Sequence, residues 1–307
     1  MRNYKGYPGD TAWTRTAIVL LALSAGSPSC LVKHTVRVAV PQKLLTARTA
    51  TLEDLLNVLS SYSDRVLSLS SGTMKVTFTS GKMESGALQA YRSAPGYILL
   101  KRPDSIRLNV QNPITKTTLI ELESVGDSFG LWYPRDNKFF SGKNSAREFE
   151  VEGHPGFTAR APHIFDAILP QRITFTSPGQ YVSMEEDQDN VTKYYVLSVF
   201  NEENRRVLKP VRRLWIDRSD FTVARQRVYD TEGRIVSLIQ YGRLLPLDGL
   251  LLPLSIKIDR PLDGYSLDLE FANWRLNPDL PDKDFALAPP HGAQVVELRE
   301  KGRSDKP

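Results

Sequence analysis

Leu52, Leu55, Leu56, Leu59, Tyr62, Val66 and Leu69 recur at helical spacing and fall on one face. This predicts an amphipathic helix over residues 52–69, with Thr51 as N-cap, Asp54 closing a weak capping box and Gly72 ending the segment. The period then switches to two. Met74, Val76 and Phe78 alternate with Lys75 and Thr77, and Ile106, Leu108 and Val110 alternate with Arg107, Asn109 and Gln111. Residues 119–125 alternate less cleanly. Such runs are strands with one dry and one wet face. Turn signals separate them, among them Ala94-Pro95-Gly96, Arg102-Pro103-Asp104, Asn112-Pro113 and Gly126-Asp127. The spacing suits an antiparallel meander.

A short helix fits residues 162–169, opened by Pro162 and stopped by Pro170, with Ile164, Phe165, Ile168 and Leu169 on one face. Strands then resume over 172–176, 180–184, 192–201, 211–217, 222–229, 234–241, 252–259 and 265–274. The acidic run Glu185-Glu186-Asp187-Gln188-Asp189 reads as a solvated hairpin tip, since the spaced oxygen ligands and Gly of a calcium loop are missing. The order is helix, many strands, short helix, many strands: a mainly β, α+β chain. A sheet that long must curl or close, and helices across an incomplete barrel would cover its dry face.

The N-terminus has a different character. Arg2, Lys5 and Arg15 precede the apolar run Ala17–Ala25, and Gly26-Ser27-Pro28-Ser29 leads to Cys30, the only cysteine of the 307 residues. Nine helical residues rise about 13 Å, short of a bilayer core of about 30 Å. Residues 1–29 therefore read as a secretory signal peptide. Cys30 sits where a bacterial lipoprotein signal places its lipidated cysteine, although Ser27 and Pro28 depart from the usual lipobox. An incidental cysteine after an ordinary signal peptide is the other reading. Acylation there would give a stable anchor, at about 0.8 kcal/mol per buried CH₂. Leu31 follows, where lipoproteins kept at the inner membrane usually carry Asp, so the expected address is the outer membrane, facing the periplasm. Residues 30–50 contain Pro41, lack a periodic face and read as lipidated terminus and tether, reaching at most about 66–72 Å. One domain is expected over 51–298, with a disordered tail over 299–307.

Composition narrows the function. The 40 basic and 35 acidic residues give +5; without residues 1–29 the balance is 37 against 34, a net +3. That is too weak and dispersed to indicate nucleic acid. One cysteine excludes an intrachain disulfide and any multi-thiolate zinc site. His34, His154, His163 and His291 lie far apart, and no HExxH, GxGxxG or GxxxxGK[ST] occurs. His163 and Asp166 are three apart on the short helix, a pair that more readily satisfies a helix end than drives catalysis. No enzyme activity, cofactor or metal is expected.

Three segments carry a resemblance. Gly96-Tyr97-Ile98-Leu99-Leu100-Lys101-Arg102-Pro103-Asp104 is similar to the strand and Lys-Arg-Pro turn of periplasmic lipoprotein carriers of the LolA type. Ser124-Val125-Gly126-Asp127-Ser128-Phe129-Gly130-Leu131-Trp132-Tyr133-Pro134 resembles that family's "SDG…LW.Y.P" hairpin, with Gly and Asp transposed. Residues 280–295, with Phe285, Pro289, Pro290, Gly292 and Val295, resemble its closing "F.F.PP.G..V". The resemblance implies an unclosed antiparallel half-barrel covered by a few helices, around an apolar cavity that shelters acyl chains. It gives Arg102 the place of the arginine that holds the lid over the empty cavity. LolB-type receptors of the same fold are themselves lipidated, which fits Cys30. The implied partners are lipoproteins or lipid acyl chains at the outer membrane, handled by a monomer in sorting or lipid transfer. A lipid- or protein-sensing regulator of the same fold is the alternative. Phe129, Trp132, Phe165, Trp215, Tyr241 and Trp274 are the aromatic candidates for the cavity wall. The apolar stretch 244–254, with Leu247, Leu250 and Leu251, is either a hairpin packed on the core or a loop that meets membrane or partner. Its two prolines argue against a continuous strand.

Overall fold

The computed structural model describes residues 42–81, 89–90, 92–145, 160–169, 178–204, 206–286 and 288–298. Cys30, the signal peptide, the expected strand over 172–176 and the tail lie outside these. After a helical turn at Gln42–Leu45 comes helix α1 (Leu52–Arg65). Strands β1 (Ser68–Ser80), β2 (Gln89–Ala90), β3 (Ala94–Lys101), β4 (Ser105–Gln111), β5 (Thr118–Val125), β6 (Ser128–Tyr133) and β7 (Lys138–Lys143) follow. Helix α2 (Ala161–Ile168) precedes β8 (Gln180–Gln188), β9 (Lys193–Asn204), β10 (Val207–Asp217), β11 (Val223–Tyr229), β12 (Ile235–Leu247), β13 (Leu250–Arg260), β14 (Tyr265–Phe271), β15 (Arg275–Leu276) and β16 (Gln294–Leu298).

All the strands join one sheet in the order β16-β7-β6-β5-β4-β3-β1-β14-β13-β12-β11-β10-β9-β8, with β2 and β15 both on β1. Neighbours are antiparallel except β16, which adds in parallel to β7. The end strands do not pair with each other, so the sheet stays open. It nevertheless wraps: α2 touches β4 and β5 on one side and β13 on the other, although β3, β1 and β14 intervene in the sheet order. This is the mainly β, unclosed and helix-covered architecture that the sequence pattern implied.

Helix α1 is shorter than its apolar periodicity suggests. Its N-terminus carries the full capping box: Thr51 Oγ1 accepts from the Asp54 N–H at 3.2 Å and Asp54 Oδ2 accepts from the Thr51 N–H at 2.8 Å. The helix ends at Arg65, not Leu69, and Gly72 lies inside β1. Leu69 satisfies both periods, and tertiary pairing decides for the strand: Leu69 registers with Leu100 on β3 and Leu276 on β15.

Two further expectations are corrected. The acidic run is solvated, but only Asp189 lies in the hairpin turn, where it accepts from the Val191 and Thr192 N–H groups; Glu185–Gln188 continue β8. Arginines on β10, β11 and the turn between them offset these charges across β9, with Arg213 reaching Glu185, Arg218 Glu186 and Arg225 Asp187. The C-terminal part of the expected tether is docked. Lys43 Nζ donates to Asp217 Oδ2 at 2.5 Å, the Ala50 N–H donates to the Tyr195 hydroxyl, and Arg48 lies over the Phe221 ring. Burial pushes the Asp217 carboxyl up, but the bonds from Lys43 and Ser219 hold it below the usual range.

Apart from a small cluster of Tyr194, Val196 and Trp215 on β9 and β10, the core divides in two. The larger part is formed by buried side chains of β1, β3–β7 and β12–β14 around α2, whose Ala161, Ile164, Phe165, Ala167 and Ile168 are all buried. The smaller lies under α1, where Leu55 meets Tyr195, Leu197, Leu214 and Ile216. At Gly96 two strands approach so closely that a Cβ would stand 2.2 Å from the Asn109 carbonyl oxygen, whereas Gly72 has open space. Gly96→Ala is therefore expected to lower stability by about 1–3 kcal/mol, and Gly72→Ala to stay within about 0.5 kcal/mol of wild type. Urea unfolding of both variants checks this. Equal midpoints would contradict the β3–β4 packing.

Candidate functional site

Where α1 runs past its Leu55 anchor, it stands off the sheet. The space beneath has a volume of about 510 Å³, within the roughly 300–1,000 Å³ usual for small-molecule sites. Residues 57–65 of α1 roof it, and Ile168 closes it where α2 ends. Leu214, Phe221, Val223, Leu244, Leu250, Leu251 and Pro253 provide an apolar wall. Polar groups are few. Arg65 is turned to the Asp248 carbonyl, and Asp220 accepts from the Thr222 N–H and hydroxyl at 2.9 and 2.6 Å. Arg212, Gln226 and the half-buried Tyr62 and Tyr241 complete the lining. Burial pushes the Tyr62 phenol up to about 12, and Tyr241 higher still, so both are neutral donors.

The wall near the C-terminal end of α1 is built by the β12–β13 hairpin. Asp248 and Gly249 have φ of 48° and 74°, the left-handed pair that a two-residue hairpin turn requires. The strands run through both prolines, with Pro246 opposite Leu251 and Leu244 opposite Pro253. This corrects the expectation of an interrupted strand. Pairing of β13 with β14 begins only at Ser255, and pairing of β12 with β11 ends at Gln240. The prolines sit in the ribbon that projects beyond those neighbours, where a missing N–H interrupts no ladder. Leu250 is buried in the main core, Leu247 packs against it and Leu251 lines the space. The structure places these leucines in a hairpin packed on the interior, not on a protruding loop.

At the far end of α1 the C-cap Val66 is buried and Tyr62 packs on the main core, and polar contacts add to this. Arg102 Nε donates to the Val66 carbonyl at 2.9 Å and its own N–H to the Leu67 carbonyl at 2.9 Å. Asn277 donates from Nδ2 to the Arg65 carbonyl at 2.8 Å and accepts from the Leu67 and Ser68 N–H groups. Arg102 thus satisfies a helix-end carbonyl and brings positive charge to the negative end of the helix dipole. Burial lowers its pKa, while Tyr62, Asp166 of α2 and Asp64 of α1 act the other way. One guanidinium therefore stands within electrostatic reach of both helices.

Of the aromatic candidates, only Tyr241 borders the space. Its hydroxyl donates to the Ala167 carbonyl at 2.7 Å. Phe129 and Phe165 fill the main core. Trp274 stacks on Phe271 with centroids 4.1 Å apart and donates to the Pro253 carbonyl. Trp132 is half-buried on β6, facing away from its core neighbours Phe129 and Leu131. Trp215 lies on the opposite face of β10 from Leu214, sandwiched by Arg213, Arg225 and Arg227, with its Nε1–H given to Asp187. Strand alternation decides which face a residue takes but not whether that face is packed or hollow. Val58, Val223 and Gln226 border the space without an aromatic or motif signal in the sequence, and Phe221 is an aromatic that was not among the candidates.

His163 and Asp166 do not act together. His163 Nδ1 lies 3.1 Å from the Tyr265 hydroxyl, and burial with the Arg260 and Arg160 charges lowers its pKa to about 3. That is far from the range of a general base at neutral pH. Among the described residues no three His, Cys, Asp or Glu side chains are placed to hold a metal ion.

No family model matches the chain, and no curated protein matches it. Solved structures do. A DUF1329 family protein from Desulfovibrio piger aligns with 78% of this chain and 98% of its own at a TM-score of 0.50 and 12% identity. The two share a fold. Weaker matches are the LolA superfamily protein NE2245 from Nitrosomonas europaea (TM-score 0.45, 17% identity, 78% and 99% covered) and a putative outer membrane lipoprotein-sorting protein domain from Vibrio parahaemolyticus (TM-score 0.49, 12% identity, 75% and 95% covered).

Removing the guanidinium tests the fastening of α1. Arg102→Met is expected to speed amide exchange across residues 61–65 by about tenfold or more, as loss of a charged hydrogen bond should. Arg107→Met, which loses contacts to Glu121 and the Asp284 carbonyl instead, should leave α1 unchanged. Unaltered exchange in Arg102→Met would remove the arginine from any role at this helix end.

Proposed function

We propose that this protein is an acyl-chain carrier or acceptor of the bacterial envelope, taking a lipid or lipoprotein chain into the space beneath α1. The observation that carries this reading is the hollow itself: an apolar wall on a continuous sheet, roofed by a helix that is anchored at Leu55 and fastened at its far end by a few polar contacts. The chemistry required is modest. Moving a chain out of water gains about 0.8 kcal/mol per CH₂, or on the order of 10 kcal/mol for sixteen carbons, and no reacting group is needed. The sequence resemblance to LolA-type carriers supports the same reading.

In this account Arg102 is the latch. It holds the α1 end down while the space is empty, and ligand entry replaces its contact with apolar burial. Cys30 is the acylated anchor that keeps the domain at the outer membrane, facing the periplasm. Partners are acylated molecules, not nucleic acid.

A fluorescent fatty acid is expected to bind the protein one to one, with a Kd in the micromolar range or tighter. Leu251→Trp, which fills the wall, should weaken binding about tenfold without lowering the urea midpoint. A folded wild-type protein that neither brightens the probe nor retains acylated species in native mass spectrometry would overturn the proposal.

A further inference from the structure

One residue of the wall is unsettled. Gln226 on β11 is 2% exposed, and its Nε2 lies 2.8 Å from the Tyr241 hydroxyl oxygen. That hydroxyl has one proton, already given to the Ala167 carbonyl. The contact from Gln226 must therefore come from the amide N–H, which fixes the orientation of the side chain. Its Oε1 is left shielded from solvent with no hydrogen-bond partner among the described residues. Such an acceptor costs free energy until a donor meets it.

A charge stands beside it. Gln226 registers with Leu214, and Arg212 is two residues along β10 on the same face. The two side chains are diagonal cross-strand neighbours, with Cβ atoms about 7 Å apart. No hydrogen bond or ion pair occupies the Arg212 guanidinium among the described residues. The other charged groups of the lining are engaged elsewhere, Arg65 with the Asp248 carbonyl and Asp220 with Thr222.

Taken with the acyl-carrier reading, on which it rests, the geometry points to a ligand of narrower class: an anionic amphiphile with a hydroxyl or amide N–H close to its anionic group. The chain lies along the apolar wall. The carboxylate or phosphate meets Arg212, and the neighbouring donor meets Gln226 Oε1. A chain without that donor leaves the oxygen unsatisfied, so the site discriminates among molecules of equal apolar surface.

The test is displacement of a fluorescent fatty acid from the full chain by hexadecanoate, 3-hydroxyhexadecanoate, palmitoyl lysophosphatidylglycerol and 1-hexadecanol. The two donor-bearing anions should compete about fivefold better than hexadecanoate, the effect of one net hydrogen bond. The tighter of the two tells a free acid from a lipid headgroup as the source. Gln226→Met should abolish the preference, so that 3-hydroxyhexadecanoate and hexadecanoate compete equally. Arg212→Met should weaken all three anions about tenfold and spare hexadecanol. Equal competition by 3-hydroxyhexadecanoate, lysophosphatidylglycerol and hexadecanoate in the wild type would overturn the inference while leaving the carrier reading intact. So would a preference that survives Gln226→Met. Failure of every amphiphile to bind would overturn both.

Discussion

A curved, open sheet has a concave face that it cannot cover by itself. Strands β1, β3–β7, β9, β10 and β12–β14 turn apolar side chains inward, and two helices are the regular elements placed against that surface among the described residues. Helix α2 covers one part: set between β4 and β5 on one side and β13 on the other, it buries Ala161, Ile164, Phe165, Ala167 and Ile168 in the main core. Helix α1 settles the other part incompletely. Its leucines meet β9 and β10 around Leu55, and past that contact the sheet curves away from a straight rod. The hollow follows from that mismatch between a straight helix and a curved surface, with one stretch of the face filled and the next roofed.

The means of holding the roof follow from the same division. Near Leu55 the helix is held by apolar burial. At the other end Tyr62 and the C-cap Val66 pack on the main core, and polar contacts are added by Arg102 and Asn277 to its last carbonyls and by Arg65 on the hairpin turn. Polar fastenings of this kind contribute about 1 kcal/mol each, up to about 3 when a charge takes part. They are strong enough to set a resting position and weak enough to be exchanged for the burial of a chain. The β12–β13 hairpin serves both halves, since Leu252 belongs to the main core, Leu251 and Pro253 line the space and Leu250 does both.

Much of this fold was legible as alternation. The strands around Met74–Phe78, Ile106–Gln111 and Thr222–Tyr229 lie where period two placed them, and the capping box of Thr51 and Asp54 marks the start of α1. The end of α1 was not legible, because Val66 and Leu69 fit a helix or a strand equally well and the choice is made by β3, Arg102 and Asn277, all distant in sequence. The wall of the hollow was hardly legible at all. Tyr241 borders it and Trp274, Phe165 and Phe129 do not, for a reason no local pattern contains: which part of the concave face α2 fills. The prolines of the hairpin misled in the same way, since a missing N–H matters only where a neighbouring strand reaches, and there none does.

The central claim is that the space beneath α1 receives a chain. Crystals of the protein grown with 16-bromohexadecanoate test it through the anomalous signal of bromine. The account predicts one strong peak enclosed by Leu214, Val223, Tyr241 and Leu251, with the C-terminal end of α1 displaced outward from its contact with Arg102. Bromine confined to the convex face, or an α1 that stays latched over a space closed by side chains, would contradict it.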